Sequence, residues 1–184
     1  MNWLLRLIGI GSLLLVLIVP KSFAQKYKSD SSYVHFFSSA PMEDIEAKNF
    51  DGQSAFNLAT GEIVFSIPII SFTFAKSLMQ EHFNENYLES DKYPKASFRG
   101  KIYGYDPAAQ VTQKASAKGI MKIHGVEQEM SVLGELKINE GKIEMKAKFP
   151  IKLEDYKIKI PKVVFYNIAE IVEVTINFNY EKID

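Results

Sequence analysis

Residues 142–151, KIEMKAKFPI, alternate without a fault: Ile143, Met145, Ala147, Phe149 and Ile151 fall on one face, and Lys142, Glu144, Lys146 and Lys148 on the other. A period of two is the signature of a β-strand buried on one side, because successive Cβ atoms point to opposite faces. The run 130–138, MSVLGELKI, places Met130, Val132, Gly134, Leu136 and Ile138 together in the same way. Asn139-Glu140-Gly141 between the two runs supplies the turn chemistry of a hairpin. Similar alternation recurs in 96–105, 117–125, 171–180 and 62–67, and more weakly in 33–38 and 44–49, with turn-rich links such as Asp51-Gly52 and Asp106-Pro107 between them. About eight short strands at regular spacing predict a mainly-β chain, an antiparallel barrel or sandwich.

One stretch breaks the pattern. From Thr73 to Phe83, Phe74, Leu78 and His82 share one helical row, and Ala75, Met79 and Phe83 share the adjacent one. Apolar residues at i, i+4 spacing predict a short amphipathic helix inserted among the strands. Asn84-Glu85-Asn86 ends it, Tyr87-Leu88 returns an apolar pair, and Tyr93-Pro94 fixes an extended entry into the strand carrying Phe98 and Ile102.

Residues 2–24 carry an early positive charge at Arg6, an apolar run from Leu7 to Val19, and Ser22-Phe23-Ala24 with small residues at the −3 and −1 places. This predicts a secretory signal cut after Ala24, and a periplasmic or otherwise exported protein. An uncleaved anchor is the weaker reading, since the run falls short of the roughly 20 residues a bilayer needs and Pro20 closes it. There is no cysteine, so neither a disulfide nor a lipidated N-terminal cysteine enters the argument. The expected mature chain, 25–184, is one domain; it keeps 20 basic residues against 22 acidic ones, a net charge near −2. With no basic block, nucleic acid is excluded as a partner class.

Catalytic and metal motifs are absent. His35, His82 and His124 lie on different predicted elements and none is at metal-ligand spacing. His124, beside Gly125, reads as a turn residue. His82 sits on the inner helical row, where it suits either a satisfied core position or a contact with a ligand. Glu81, Glu85, Glu89 and Asp91 lack the ligand spacing of a calcium loop and read as a solvated face. What remains is the inner face: Phe98, Ile102, Met121, Ile123, Met130, Val132, Leu136, Met145, Phe149, Ile176 and Phe178. An eight-stranded barrel is close to the size at which the interior either fills itself or holds one ligand. The methionines suit a flexible aliphatic guest, yet they suit a packed core too, and both readings stand at this point.

The helix ending in His82-Phe83 followed by DKYPKASFRGKI at 91–102 resembles the YceI-like family, in which a helical insertion with a His-Phe or His-Leu ending leads into a Tyr/Phe-Pro-x-x-x-Phe strand. KGIMKIHGVEQEM at 118–130 is similar to that family's Gly-x-x-x-(Leu/Met)-x-(Ile/Val)-x-Gly-Val strand, and FPIKLEDYKI at 149–158 to its Phe-x-Ile strand with a following acidic-aromatic loop. The segments before Ile63 match poorly, and the one tryptophan, Trp3, lies in the predicted signal. The resemblance implies an antiparallel lipocalin-like β-barrel with a short helical insertion, holding the tail of a polyisoprenoid or similar lipid. Its candidate lipid-binding residues are Phe74, Leu78, His82 and Phe83 on the insertion, with Phe98, Ile102, Met121, Ile123, Met130, Val132, Leu136, Met145, Phe149 and Phe178 on the strands. No catalytic residue, metal or cofactor is expected in this reading. Two other classes stand beside it. A small outer-membrane barrel also has period-two strands, and an enzyme acting on an amphiphile would use His82 as base. Transient membrane contact and pairing of two chains stay open.

Overall fold

The alternating runs pair as their periodicity requires. The protein is seen in a computed structural model that describes residues 25–39, 44–160 and 169–183, so the predicted signal lies outside the described residues. The most regular hairpin joins β8 (Val126–Asn139) to β9 (Lys142–Lys152) with Asn139 opposite Lys142. The two loop residues, Glu140 and Gly141, take φ of 48° and 78°, the double left-handed turn that matches strand twist. β7 (Thr112–Ile123) meets β8 through an equally tight turn in which His124 and Gly125 have φ of 50° and 75°. His124 is thus a turn residue, and its ring is free to reach sideways.

Closure comes from β1 (Lys26–Ser38), whose ladder with β10 (Ile171–Lys182) runs from Tyr27 to Phe37. Among the described residues the strands follow the order β10-β9-β8-β7-β6-β4-β3-β1 and return to β10, an antiparallel barrel of eight. β6 is Lys95–Tyr103, β4 is Glu62–Pro68 and β3 is Gln53–Asn57. Two short strands, β2 (Ile45–Asn49) and β5 (Thr73–Phe74), extend the wall at one end, β2 pairing with the second half of β1.

The structure departs from the sequence expectations most clearly in the first strand and in the insertion. β1 starts seven residues before the weak run at 33–38, because a bulge between Ser29 and Ser31 shifts the alternation and hides it. The helix, α1, is only Ser77–His82, and Thr73–Phe74 is strand, paired with β2. The chain then continues through Asn84-Glu85-Asn86, where a stop was expected, as a π-helical turn at Phe83–Tyr87. Asn84 sustains it: its Nδ2 donates to the Gln80 carbonyl at 3.0 Å, and Leu88 N–H reaches the Phe83 carbonyl at 2.9 Å.

One end of the barrel is packed solid. Tyr27, Phe56, Leu58, Ile63, Ile138, Ile143 and Tyr180 are buried there. The Tyr180 hydroxyl donates to Ser54 Oγ at 2.8 Å, Ser54 Oγ donates to the Val64 carbonyl at 2.7 Å, and burial pushes the Tyr180 phenol up. At the other end the wall forks. The β8–β9 ladder stops at Gly134 opposite Ala147; above it, Val126–Leu133 pair only with β7 and Lys148–Lys152 only with β10. A 3-10 turn, Leu153–Tyr156, lies across the fork.

Candidate ligand-binding cavity

Above the packed end lies a cavity of about 340 Å³, lined almost wholly by apolar side chains. Its floor is Phe178, fully buried, with the Phe65 ring set edge-on against it at 4.9 Å. Phe98 and Ile102 of β6, Met121 and Ile123 of β7, Val132 and Leu136 of β8, and Met145 and Phe149 of β9 form the walls. The lumen stays open for a reason found in the register. Ala115, Gly134 and Ala147 stand side by side on β7, β8 and β9, so three neighbouring strands contribute at most one carbon each at that level. All three border the cavity. A volume near 340 Å³ is at the small end of the range for pockets that take organic ligands.

The inserted segment makes the roof. Phe83 is its centre, buried and ringed by Phe36 at 5.5 Å, Phe72 at 5.5 Å and Phe74 at 5.0 Å. Met79, Tyr87 and Leu88 complete the apolar surface, and burial raises the Tyr87 phenol. His82 reaches the cavity edge with its ring exposed, and no hydrogen bond or ion pair engages it among the described residues.

Two of the sequence-assigned positions do not border the cavity. Leu78 is 59% exposed, because a helix of six residues turns its Met79, His82 and Phe83 side inward and leaves Leu78 in solvent. Met130, half-buried opposite Gly119, packs against the core in the forked part of β8 without reaching the lumen. The other twelve, from Phe74 to Phe178, do line it, as does Ile176. The sequence reading missed Phe36, Phe65, Ile67, Phe72 and Leu88. Phe36 had a signal, since it shares a face with Val34 in the run at 33–38.

Among the described residues charge is confined to the rim and the outer face. Glu135 and Lys146 touch the cavity at the base of the fork, but both side chains are exposed. Near the mouth, His124 forms a junction: Nε2 lies 2.7 Å from Glu89 Oε2 and Nδ1 3.2 Å from the Tyr156 carbonyl oxygen. The Tyr93 ring packs edge-on against it at 4.6 Å. The hydrogen bond from His124 holds the Glu89 carboxyl below the usual carboxylate range, with Lys92 adding to the effect. Among the described residues no group of three His, Asp or Glu converges as a cation site would require.

Comparison with known proteins follows the fold. The description of the YceI-like domain matches residues 26–180. No curated protein matches the sequence. A structure described as a polyisoprenoid binding domain from Saccharophagus degradans, implicated in plant cell wall breakdown, is similar with TM-score 0.73 at 16% identity, over 85% of this chain and 98% of that one. Burkholderia cenocepacia BcnA gives TM-score 0.67 at 18% identity, over 80% and 95%. The Campylobacter jejuni YCEI protein gives 0.57 at 15% identity, over 100% and 92%. At such identities the likeness speaks for the fold.

Proposed function

Because the chain belongs to the YceI-like family, we propose that its barrel is a binding site for the aliphatic tail of a polyisoprenoid or similar long-chain lipid. The carrying observation is the apolar cavity of about 340 Å³ above Phe178. The description of the Saccharophagus degradans neighbour as polyisoprenoid binding supports the ligand class. Each methylene moved from water into this lumen contributes about 0.8 kcal/mol, and the ordering of tail and side chains offsets part of it. No ionic anchor is needed.

The protein works by sequestration or carriage of the lipid, in an exported compartment after cleavage behind Ala24. The N-terminal sequence supports export. The outer-membrane alternative needs an apolar outer face, whereas Lys142, Lys146 and Lys148 point outward and the apolar row points in. The experiment is native mass spectrometry on protein purified without detergent, with extraction and identification of any adduct. A long-chain isoprenoid at one per chain and a mature N-terminus at Gln25 are expected. A chain with no adduct, and none acquired from isoprenoid lipids, overturns the binding reading.

A further inference from the structure

Among the described residues the ladder of the barrel wall is interrupted at the fork between β8 and β9, above Gly134 and Ala147. There the 3-10 turn does the sealing, and it does so with side chains. Gln128 Nε2 donates to the Asp155 carbonyl at 2.8 Å, and His124 Nδ1 lies 3.2 Å from the Tyr156 carbonyl oxygen. Tyr156 is buried, and Leu153 and Ile158 on either side of the turn line the cavity directly. Parting this turn from β8 would breach no β ladder and would open the lumen sideways along the forked stretch.

His124 holds more than one piece. Its ring lies between a carbonyl and a carboxylate, both acceptors. A neutral imidazole carries one N–H and leaves one acceptor unmet; the imidazolium satisfies both. The three pieces that meet here each contain a left-handed residue that is not glycine: Glu89 at φ 44°, His124 at 50° and Lys157 at 57°. Such backbone persists only where surrounding contacts hold it.

We propose that the 3-10 turn Leu153–Tyr156 is a side door through which the lipid tail enters and leaves, and that His124 is its proton-sensitive latch, closed when the ring is charged. The proposal rests on the lipid-binding reading. Among the described residues the groups around the latch come from three elements. Glu89 and Tyr93 touch the ring from the inserted segment, and Lys92 sits 3.7 Å from Glu89 and 4.9 Å over the Tyr93 ring. The turn contributes Asp155, Tyr156 and the following Lys157. On the latch's own hairpin Glu127 is occupied by Lys122 at 3.8 Å and Arg99 at 3.3 Å.

The test uses N-phenyl-1-naphthylamine, an uncharged dye that fluoresces in apolar pockets, with its release followed by stopped flow. Release from the wild type is expected to be about tenfold slower at pH 5.5 than at pH 8, the effect of one charge-assisted hydrogen bond. His124→Gln, and separately Glu89→Gln, abolish that ratio while the dye stoichiometry stays the same. The chain has no cysteine, so Gln128→Cys with Asp155→Cys is designed to tie the turn to β8 by a single disulfide across the door. Its oxidised form should hold the dye at least about tenfold longer, and reduction should restore the rate. Unchanged release on oxidation overturns the door. A pH ratio that survives His124→Gln overturns the latch. Absence of dye binding in the wild type overturns the lipid-binding reading itself, and is told apart because the other failures occur with the dye bound.

Discussion

At Ala115 one methyl group keeps part of the lumen empty. Together with Gly134 and Ala147 it forms the row that no bulky side chain invades. Ala115→Leu should therefore fill the space from within. Lipid occupancy should fall to near zero by native mass spectrometry, while stability changes by less than about 1.5 kcal/mol, because the added carbons enter existing space. His82 gives the opposite test. Its exposed ring at the rim has no hydrogen bond or ion pair among the described residues, so His82→Ala should leave occupancy unchanged; a loss of turnover on an amphiphilic ester without loss of binding would instead revive the catalytic reading. Single positions were readable where alternation was strict, as at Met145 and Phe149. Leu78 was not, because rows on a helix depend on where the helix begins, and Thr73–Phe74 had already been claimed by the sheet.

The roof element is held by aromatic packing more than by helix propensity. Six residues of α-helix are too few to persist alone. Phe83 packs against Phe36, Phe72 and Phe74, so Phe83→Ala should cost about 3–5 kcal/mol in denaturant titration and loosen the segment from Ser77 to Leu88 in hydrogen exchange. At this scale the hairpins were legible, since turn residues and alternation agree at Asn139-Glu140-Gly141. β3 was not: QSAFN offers a single bulky apolar residue, and its pairing with β4 is set by the closed sheet. The π-helical turn was equally hidden, because an Asn-Glu-Asn sequence favours a stop until Asn84 finds the Gln80 carbonyl.

For the molecule as a whole, closure was readable in outline, while the choice between a filled core and a hollow one was not. That choice depends on which small residues come level across neighbouring strands, and register is a property of the assembled sheet. Acid sensitivity also belongs to the whole. Glu89 and Glu46 are held below the usual carboxylate range by hydrogen bonds from His124 and His35 respectively. A lowered folded value means their contribution is present above the unfolded carboxylate pKa of about 4.3 and is lost as pH falls through the folded one. Denaturation midpoints should therefore drop below about pH 4, and Glu89→Gln should shrink the drop.

The packed end, with Tyr180 bonded to Ser54 beneath Phe178, turns the barrel into a blind sleeve. A sleeve with a bottom acts as a gauge. A tail pushed in comes to rest on the Phe178 ring, and whatever exceeds the depth must remain outside. Affinity should climb with each added methylene, by about 0.8 kcal/mol at most, until the tail spans the lumen, and then level off. Short tails would be discriminated by length, long ones would not, and every bound lipid would present its head group on the same side of the molecule.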